Sequence, residues 1–395
     1  MTIYIIGEHS FLAKHVYLFV KKRFPSVLLF SHNNIETLPD IQEEDMMIDF
    51  CGINRSDNEQ EYYKGNFLFT TQLLQKITKK CYFMYISSLM VYGFKDRDEN
   101  ILPNYQKWFI QSKLKSEKYL IENYPTNKLC IIRPSNIFGY DCEPYYNNLI
   151  STLVYEKIQN YQKISKINKN CYRNFLSVEG FSENIFEFIQ QKKNGIWNFL
   201  SNNTISLSDT INIIYSNNLP THIEFQNGNE DRLNLNNLSI SGDHHIIHED
   251  FKSQLQSLES DMRIYINLKS IVKIQNLNVL TQPRGEMVEI SSLHSKRLYK
   301  ITLNKNVIRG NHFHFKQMEE FYIDRGKVTF LLAFSDNPNI ILKYNASLHD
   351  LITIPPNIIH TLLNDYVDNI SEVIVTSTQE YITGIIPDTE YINII

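Results

Sequence analysis

The residues of this chain best suited to chemistry lie between Arg309 and Gly326, in the run R-G-N-H-F-H-F-K-Q-M-E-E-F-Y-I-D-R-G. His312 and His314 are two residues apart, a spacing that puts both imidazoles on one face of a β-strand. Glu319 follows after four residues, and His360 lies in a later apolar run, P-P-N-I-I-H-T-L-L-N. Three neutral imidazoles and one carboxylate make a donor set suited to Zn, Fe, Ni or Mn. A histidine pair of this spacing is weak by itself, because alternating histidines also occur on ordinary polar strand faces. The full order is far more specific: His-x-His, four residues, Glu, six residues, Gly, then Pro, four residues, His. It predicts a pocket for a divalent metal, zinc foremost, held by His312, His314, Glu319 and His360.

A second group of candidates lies in the first half. Gly7, Ser10 and Ala13 form G-x-x-S-x-x-A directly after the apolar run at 2–6, a strand-to-helix turn of the kind that offers backbone N–H groups to a pyrophosphate. Ser88 sits in S-L-M-V-Y-G and Lys113 in F-I-Q-S-K-L-K-S-E, with Phe109 four residues ahead of the lysine. Arg173 carries a guanidinium fork that suits phosphate, and a surface ion pair is the alternative for it. His244, His245 and His248 fall in the polar, Asn-rich stretch 216–262; no carboxylate or cysteine completes a ligand spacing there, so a solvated loop is expected.

These residues must be positioned by two different kinds of element. Apolar runs at 2–6, 27–30, 46–50, 82–86 and 129–132 alternate with helical patterns near 11–23, 61–79 and 108–123, which predicts a doubly wound, Rossmann-like α/β parallel sheet. An amphipathic helix is expected over 251–263, and from about Leu268 the pattern becomes short strands of period two, which predicts an all-β jelly-roll barrel. The expected boundary places one domain at 1–262 and the other at 263–395.

At 395 residues with a formal net charge of -4 and a pI near 6.3, the chain has no global pull toward nucleic acid or an anionic membrane. No apolar run approaches the roughly 18 residues of a spanning helix. Its five cysteines are odd in number and unpatterned, so reduced thiols and a cytoplasmic location are expected.

The Gly7 turn resembles that of the extended short-chain dehydrogenase/reductases (SDRs), as do Cys51-Gly52-Ile53-Asn54-Arg55, Gly65-Asn66, the segment ending at Tyr92-Gly93, Arg133-Pro134-Ser135-Asn136 and Arg173-Asn174-Phe175. The likeness is to the nucleotide-sugar branch and covers roughly 1–260. It implies that Gly7, Ser10, Ala13 and Lys113 face an NADP(H)-type cofactor and that Asn136 and Arg173 face the substrate. It also implies that Ser88 and Lys113 belong to a catalytic Ser-Tyr-Lys set whose tyrosine position is Phe109. Phenylalanine has no ionisable oxygen and cannot supply the proton that ketone reduction needs. Ser10 stands where a glycine would let the backbone approach the phosphates. Both departures predict impaired reduction and weak cofactor binding. Tyr92 and Tyr105 are the nearby phenols that could stand in.

The histidine motif resembles the cupin family, with His349 and Asn357 where that family has glycines. The two halves together resemble the CapF-type bifunctional capsular-polysaccharide enzymes. That resemblance implies a UDP-2-acetamido-2,6-dideoxy-4-keto-hexose substrate, metal-dependent inversion at C3 in the cupin and NADPH-dependent reduction at C4 in the SDR half. The expectation drawn here is a cupin epimerase with an impaired reductase, acting as a homodimer on a UDP-sugar without nucleic acid or membrane insertion. The alternatives are the full bifunctional epimerase and reductase, giving a 6-deoxy-talose-type sugar, and a non-catalytic sugar-nucleotide-binding or assembly protein.

Overall fold

The computed structural model describes residues 1–95, 102–146, 148–161, 163–164, 166–216, 218–228, 230–233, 242–282, 285–290, 295–364, 370–379 and 388–395. The chain divides into two compact units, Met1–Met262 and Arg263–Ile395.

The first unit is built on seven strands: β1 (Ile3–Ile6), β2 (Val27–Phe30), β3 (Met46–Asp49), β4 (Tyr82–Ile86), β5 (Leu129–Pro134), β6 (Gly195–Ser201) and β7 (Asp243–Ile247). They pair in parallel in the order β2-β1-β3-β4-β5-β6-β7. β1, β3, β4 and β5 are buried along their whole length, which is why they read as nearly unbroken apolar runs instead of alternating ones. The strand order reverses between β1 and β3. In an open α/β sheet, the crevice beyond the carboxyl ends of the strands at such a reversal is the ligand site. Among the described residues only β2 lies outside β1, where the dinucleotide order 3-2-1-4-5-6 has a further strand; here the chain leaves β2 through a 3-10 turn, His32–Thr37, and goes to β3.

Two helices position the candidate residues. α1 (Phe11–Lys21) starts at Ser10, whose Oγ accepts a hydrogen bond from Ala13 N. α2 (Asn104–Asn123) buries Phe109, Lys113 and Glu117 on one stripe at successive fourth positions. The helix expected over 61–79 begins and ends earlier, running from Glu59 to Lys76 with a π-turn at Tyr63–Leu68.

Two expectations are corrected. His244 and His245 do not lie in a solvated loop: 243–247 is β7, paired along its length with β6. His245 bonds Asn184 Oδ1 at 2.6 Å and packs its ring on Phe188 and Phe199, so pairing with a buried neighbour overrides the polar local sequence. The last helix runs over Phe251–Ile271, so Ile271 ends a helix and does not open a strand. Tyr265, Leu268 and Ile271 pack on the core of the second unit, and a short apolar run of this kind fits helix and strand alike until its packing is known.

The second unit carries β8 (Lys273–Asn276), β9 (Arg297–Asn304), β10 (Ile308–His314), β11 (Glu319–Arg325), β12 (Lys327–Phe334), β13 (Asn337–Ser347), β14 (Asp350–Ile354), β15 (Ile358–Leu363), β16 (Ile370–Ser377) and β17 (Thr389–Tyr391). These form two antiparallel sheets, β8-β14-β11-β16-β9 and β13-β12-β15-β10-β17. Phe321, Phe330, Leu332, Ile352, Leu362 and Val375 fill the core with residues of both sheets. This is the double-sheet barrel expected of the period-two pattern. No helix among the described residues is long and apolar enough to cross a membrane.

Candidate functional site

The four metal-donor candidates meet inside the barrel. β10 pairs with β15 so that His312 lies opposite His360, and residues directly opposite in an antiparallel pair share a face. His314 follows two residues along, and Glu319 comes from β11 in the other sheet. One donor atom from each residue lies within 4.8 Å of all the others. Glu319 Oε2 is 3.4 Å from His314 Nε2 and 3.3 Å from His360 Nε2.

The hydrogen bonds around the site leave these atoms unused. Glu319 Oε1 accepts from the Tyr299 hydroxyl at 2.9 Å and from Gln317 Nε2 at 2.7 Å. His360 Nδ1 is 3.3 Å from the Ile358 carbonyl, and His314 Nδ1 is 3.2 Å from that of Asp388 and 2.9 Å from the Thr389 hydroxyl; a carbonyl only accepts, so these contacts favour the proton on each Nδ1 and the lone pair on each Nε2. Glu319 Oε2, His314 Nε2 and His312 Nδ1 are buried without a hydrogen-bond partner among the described residues. Leaving such atoms bare costs about 1–3 kcal/mol each, and a cation among them removes that cost. Donors each about 2.0–2.2 Å from one ion lie roughly 3.0–3.5 Å apart, the spacing Glu319 keeps to its two histidine neighbours. The donor set therefore fits a divalent metal.

Protonation suits the same role. Burial pushes the Glu319 carboxyl up, but the neighbouring His314 and His360 rings and the Tyr299 hydroxyl outweigh it and hold the group at about 2. Burial pushes His360 down to about 4, against the pull of Glu319. At neutral pH the glutamate is ionised and His360 is neutral, the forms that ligate.

Backbone conformation explains the surrounding motif. Gly310 has φ +97°, and a Cβ there would lie 2.3 Å from the carbonyl oxygen of His360, so only glycine allows β10 this close to β15. His349 (φ 71°) and Asn357 (φ 65°) are left-handed, the conformation that glycine adopts most readily. Asn adopts this conformation readily, whereas His349 does so at a cost.

The first unit holds a cleft of about 1080 Å³ at the strand-order reversal, lined by Gly7, Ser10, Gly52, Ser88, Phe109, Lys113 and Asn136 among others. Ala13 is fully buried in α1 and serves the turn through its N–H to Ser10. Ser88 Oγ caps the 3-10 turn after β4, accepting from Met90 N at 3.2 Å. Lys113 Nζ donates to the Ile86 carbonyl at 2.9 Å and lies 4.8 Å from the centre of the Tyr85 ring. Burial lowers it to about 8 despite Asp49 and Cys51, and burial raises Asp49 to about 6 despite the Cys51 N–H and Lys113.

The remaining candidates separate. Asn136 lines the cleft and donates to Asn174 O at 3.2 Å. Arg173 is absent from the lining; its guanidinium meets Asp231 Oδ2 at 3.0 Å and the Asp231 carbonyl at 2.9 Å, the ion-pair alternative. Tyr92 is buried, its hydroxyl engaged by Arg133 and Asn198, and it does not reach the cleft lining, whereas Tyr105 does. Sequence reading passed over the buried pair of Arg133 and Glu117, bonded at 2.6 and 3.0 Å with Ser87 on the same carboxylate. It ties α2 to β5, and the glutamate at the end of the lysine motif was its signal.

No protein-family model matches the chain, and no curated protein sequence does. Solved structures similar to it include the capsular polysaccharide assembling protein CapF from Staphylococcus aureus, at 19% identity and a TM-score of 0.46, covering 99% of this chain and 100% of that one. The UDP-glucuronic acid 4-epimerase from Bacillus cereus in complex with NAD is similar at 16% identity and a TM-score of 0.52, over 68% of this chain and 98% of that one. MoeE5 in complex with UDP-glucose and NAD is similar at 14% identity and a TM-score of 0.51, over 66% and 98%. The first unit thus has the fold of nucleotide-sugar epimerases, and the structures of CapF are similar to the chain over its full length.

Proposed function

We propose that this chain is a nucleotide-sugar-modifying enzyme of capsule-type polysaccharide biosynthesis whose chemistry is carried by the barrel. The reaction is epimerisation at C3 of a UDP-2-acetamido-2,6-dideoxy-4-keto-hexose. His312, His314, Glu319 and His360 hold a divalent metal, and the observation that supports this reading is their convergence with three buried donor atoms left bare. When bound, the metal polarises the 4-keto group and raises the acidity of the C3 proton. Tyr299 and Gln317 fix Glu319 through Oε1, and the Ile358 and Asp388 carbonyls fix the rings of His360 and His314, so that the donors keep one geometry while a base takes the C3 proton and an acid returns one to the opposite face of the sugar.

In the first unit the cleft takes the nucleotide sugar as a binding scaffold with weak NADP(H) affinity. Ser10 Oγ turns back to cap α1 at the place where the phosphates would approach, and Ser31-His32-Asn33-Asn34 after β2 offers neither an acid for an NAD ribose nor an arginine for an NADP phosphate. The bifunctional reading is favoured by one observation: Tyr105, two turns ahead of the lysine, also lines this cleft with Ser88 and Lys113.

The test is solvent-deuterium incorporation at C3 of the 4-keto sugar by purified protein, before and after chelation and after zinc is returned. Exchange that is lost on chelation and restored by zinc is expected. Exchange indifferent to chelation contradicts the role given to the four donors.

A further inference from the structure

Strand alternation alone puts Arg309, three residues before His312, on the opposite face from the metal donors. The structure places it on the same face. β10 carries one extra residue: Arg309 pairs with Leu362 and His312 with His360, and the register shifts between Gly310 and His312. Gly310 and Asn311 both have positive φ there. Leu362 and His360 are two apart on β15 and therefore share a face, and Leu362 belongs to the barrel core, so Arg309 is turned to the inner side. Bulges re-aim side chains in this way beside functional sites. Arg309 is nonetheless exposed, and among the described residues no hydrogen bond or ion pair engages its guanidinium.

A second arginine approaches from the other sheet. Arg297 and Glu319 both pair with Ser377, on either side of β16, so Arg297 lies in the same cross-strand row and on the same face as the metal donor. Its guanidinium carbon is 4.3 Å from the centre of the Tyr299 ring, whose hydroxyl bonds Glu319.

We propose that Arg309, turned inward by the bulge, and Arg297, on the facing sheet, form an anion clamp beside the donor set that takes the diphosphate of a nucleotide sugar. The inference rests on the reading of the barrel as a keto-sugar site. A sugar whose C4 carbonyl is held at the donors carries its diphosphate on C1, across the ring, and guanidinium forks match phosphate oxygens two at a time. The clamp would make the nucleotide a handle for the barrel reaction as well as for the cleft of the first unit.

The experiment compares the zinc-loaded full chain, wild type against Arg309→Gln at matched metal content. For C3 exchange on the UDP-linked keto sugar, KM is expected to rise roughly 10- to 100-fold, the weight of a charged hydrogen bond, with kcat little changed. On the same keto sugar without its nucleotide diphosphate, the two proteins should be equal. Independently of turnover, manganese-loaded protein should broaden the ³¹P resonances of UDP, and Arg309→Gln should abolish that broadening. Metal-free His314→Ala serves as the blank that excludes the cleft of the first unit. If wild type shows no exchange but the broadening depends on Arg309, the reaction is wrong and the clamp stands. Unchanged KM together with unchanged broadening in Arg309→Gln overturns the clamp.

Discussion

The two units treat their polar atoms in opposite ways. In the barrel, hydrogen bonds consume one atom of Glu319 and of His314 and leave the other bare, beside a bare Nδ1 of His312, within one cluster of donor atoms. In the cleft, the side chains left over are engaged locally: Ser10 caps its helix, Ser88 caps a turn and Lys113 bonds the Ile86 carbonyl. At Phe109, the position that the resemblance gives to a proton donor, the ring is buried and carries no ionisable group. Buried polar groups without partners are expensive, so a bare set persists where a ligand uses it, while a cleft whose groups have found partners can lose its chemistry and keep its fold.

The largest expected effect breaks the barrel side of this contrast. His314→Ala should lose most of the bound metal and, with it, C3 exchange by on the order of 10³-fold, since Lewis-acid polarisation contributes several kcal/mol. The fold should survive, because His314 is not part of the core of Phe321, Phe330 and Leu362. Metal analysis and circular dichroism check both halves, and full metal occupancy in this variant would remove the assignment. The converse change sharpens the cleft side. Phe109→Tyr combined with Ser10→Gly should raise NADPH-dependent reduction of a 4-keto sugar by about 10² or more, the lower weight of general acid catalysis; no gain over wild type would mean that something else silences the cleft.

Smaller effects test the physical state of each site. Lys113 is depressed to about 8 by burial from an unfolded value of about 10.4, so the unfolded chain binds more protons between those values. Stability should therefore rise with pH across this window, by on the order of 3 kcal/mol. Lys113→Met should flatten that rise in denaturant titrations at pH 8 and 10; a rise that persists locates the titration elsewhere. Gly310→Ala forces a Cβ to 2.3 Å from a backbone carbonyl at φ +97° and should cost about 1–3 kcal/mol of barrel stability. His349→Gly should fall within about 1 kcal/mol of neutral, because relief of the left-handed conformation is offset by loss of the 2.8 Å bond between His349 Nδ1 and the Tyr322 hydroxyl.

The barrel donors were legible because strand geometry converts spacing into proximity: His312 and His314 share a face by period two, and His360 meets them across the ladder. Phe109 and Lys113 were legible through the resemblance of F-I-Q-S-K-L-K-S-E to the dehydrogenase/reductase pattern, and the structure sets them one turn apart on a buried stripe. Arg309 was not, since a single extra residue at Asn311 inverts the face that alternation assigns. The same holds for β7, whose residues become a strand only through pairing with β6, and for Arg173, whose partner Asp231 lies 58 positions away.

The central claim is that the barrel works without the hydride chemistry of the cleft, and one reaction tests it most directly. Wild-type, zinc-loaded protein is incubated with the UDP-linked 4-keto sugar and NADPH in deuterated water. Deuterium at C3 with no oxidation of NADPH is expected. Oxidation of NADPH at an ordinary enzymatic rate, about 1 s⁻¹ or faster, would show that another group supplies the proton and that the cleft is an active reductase.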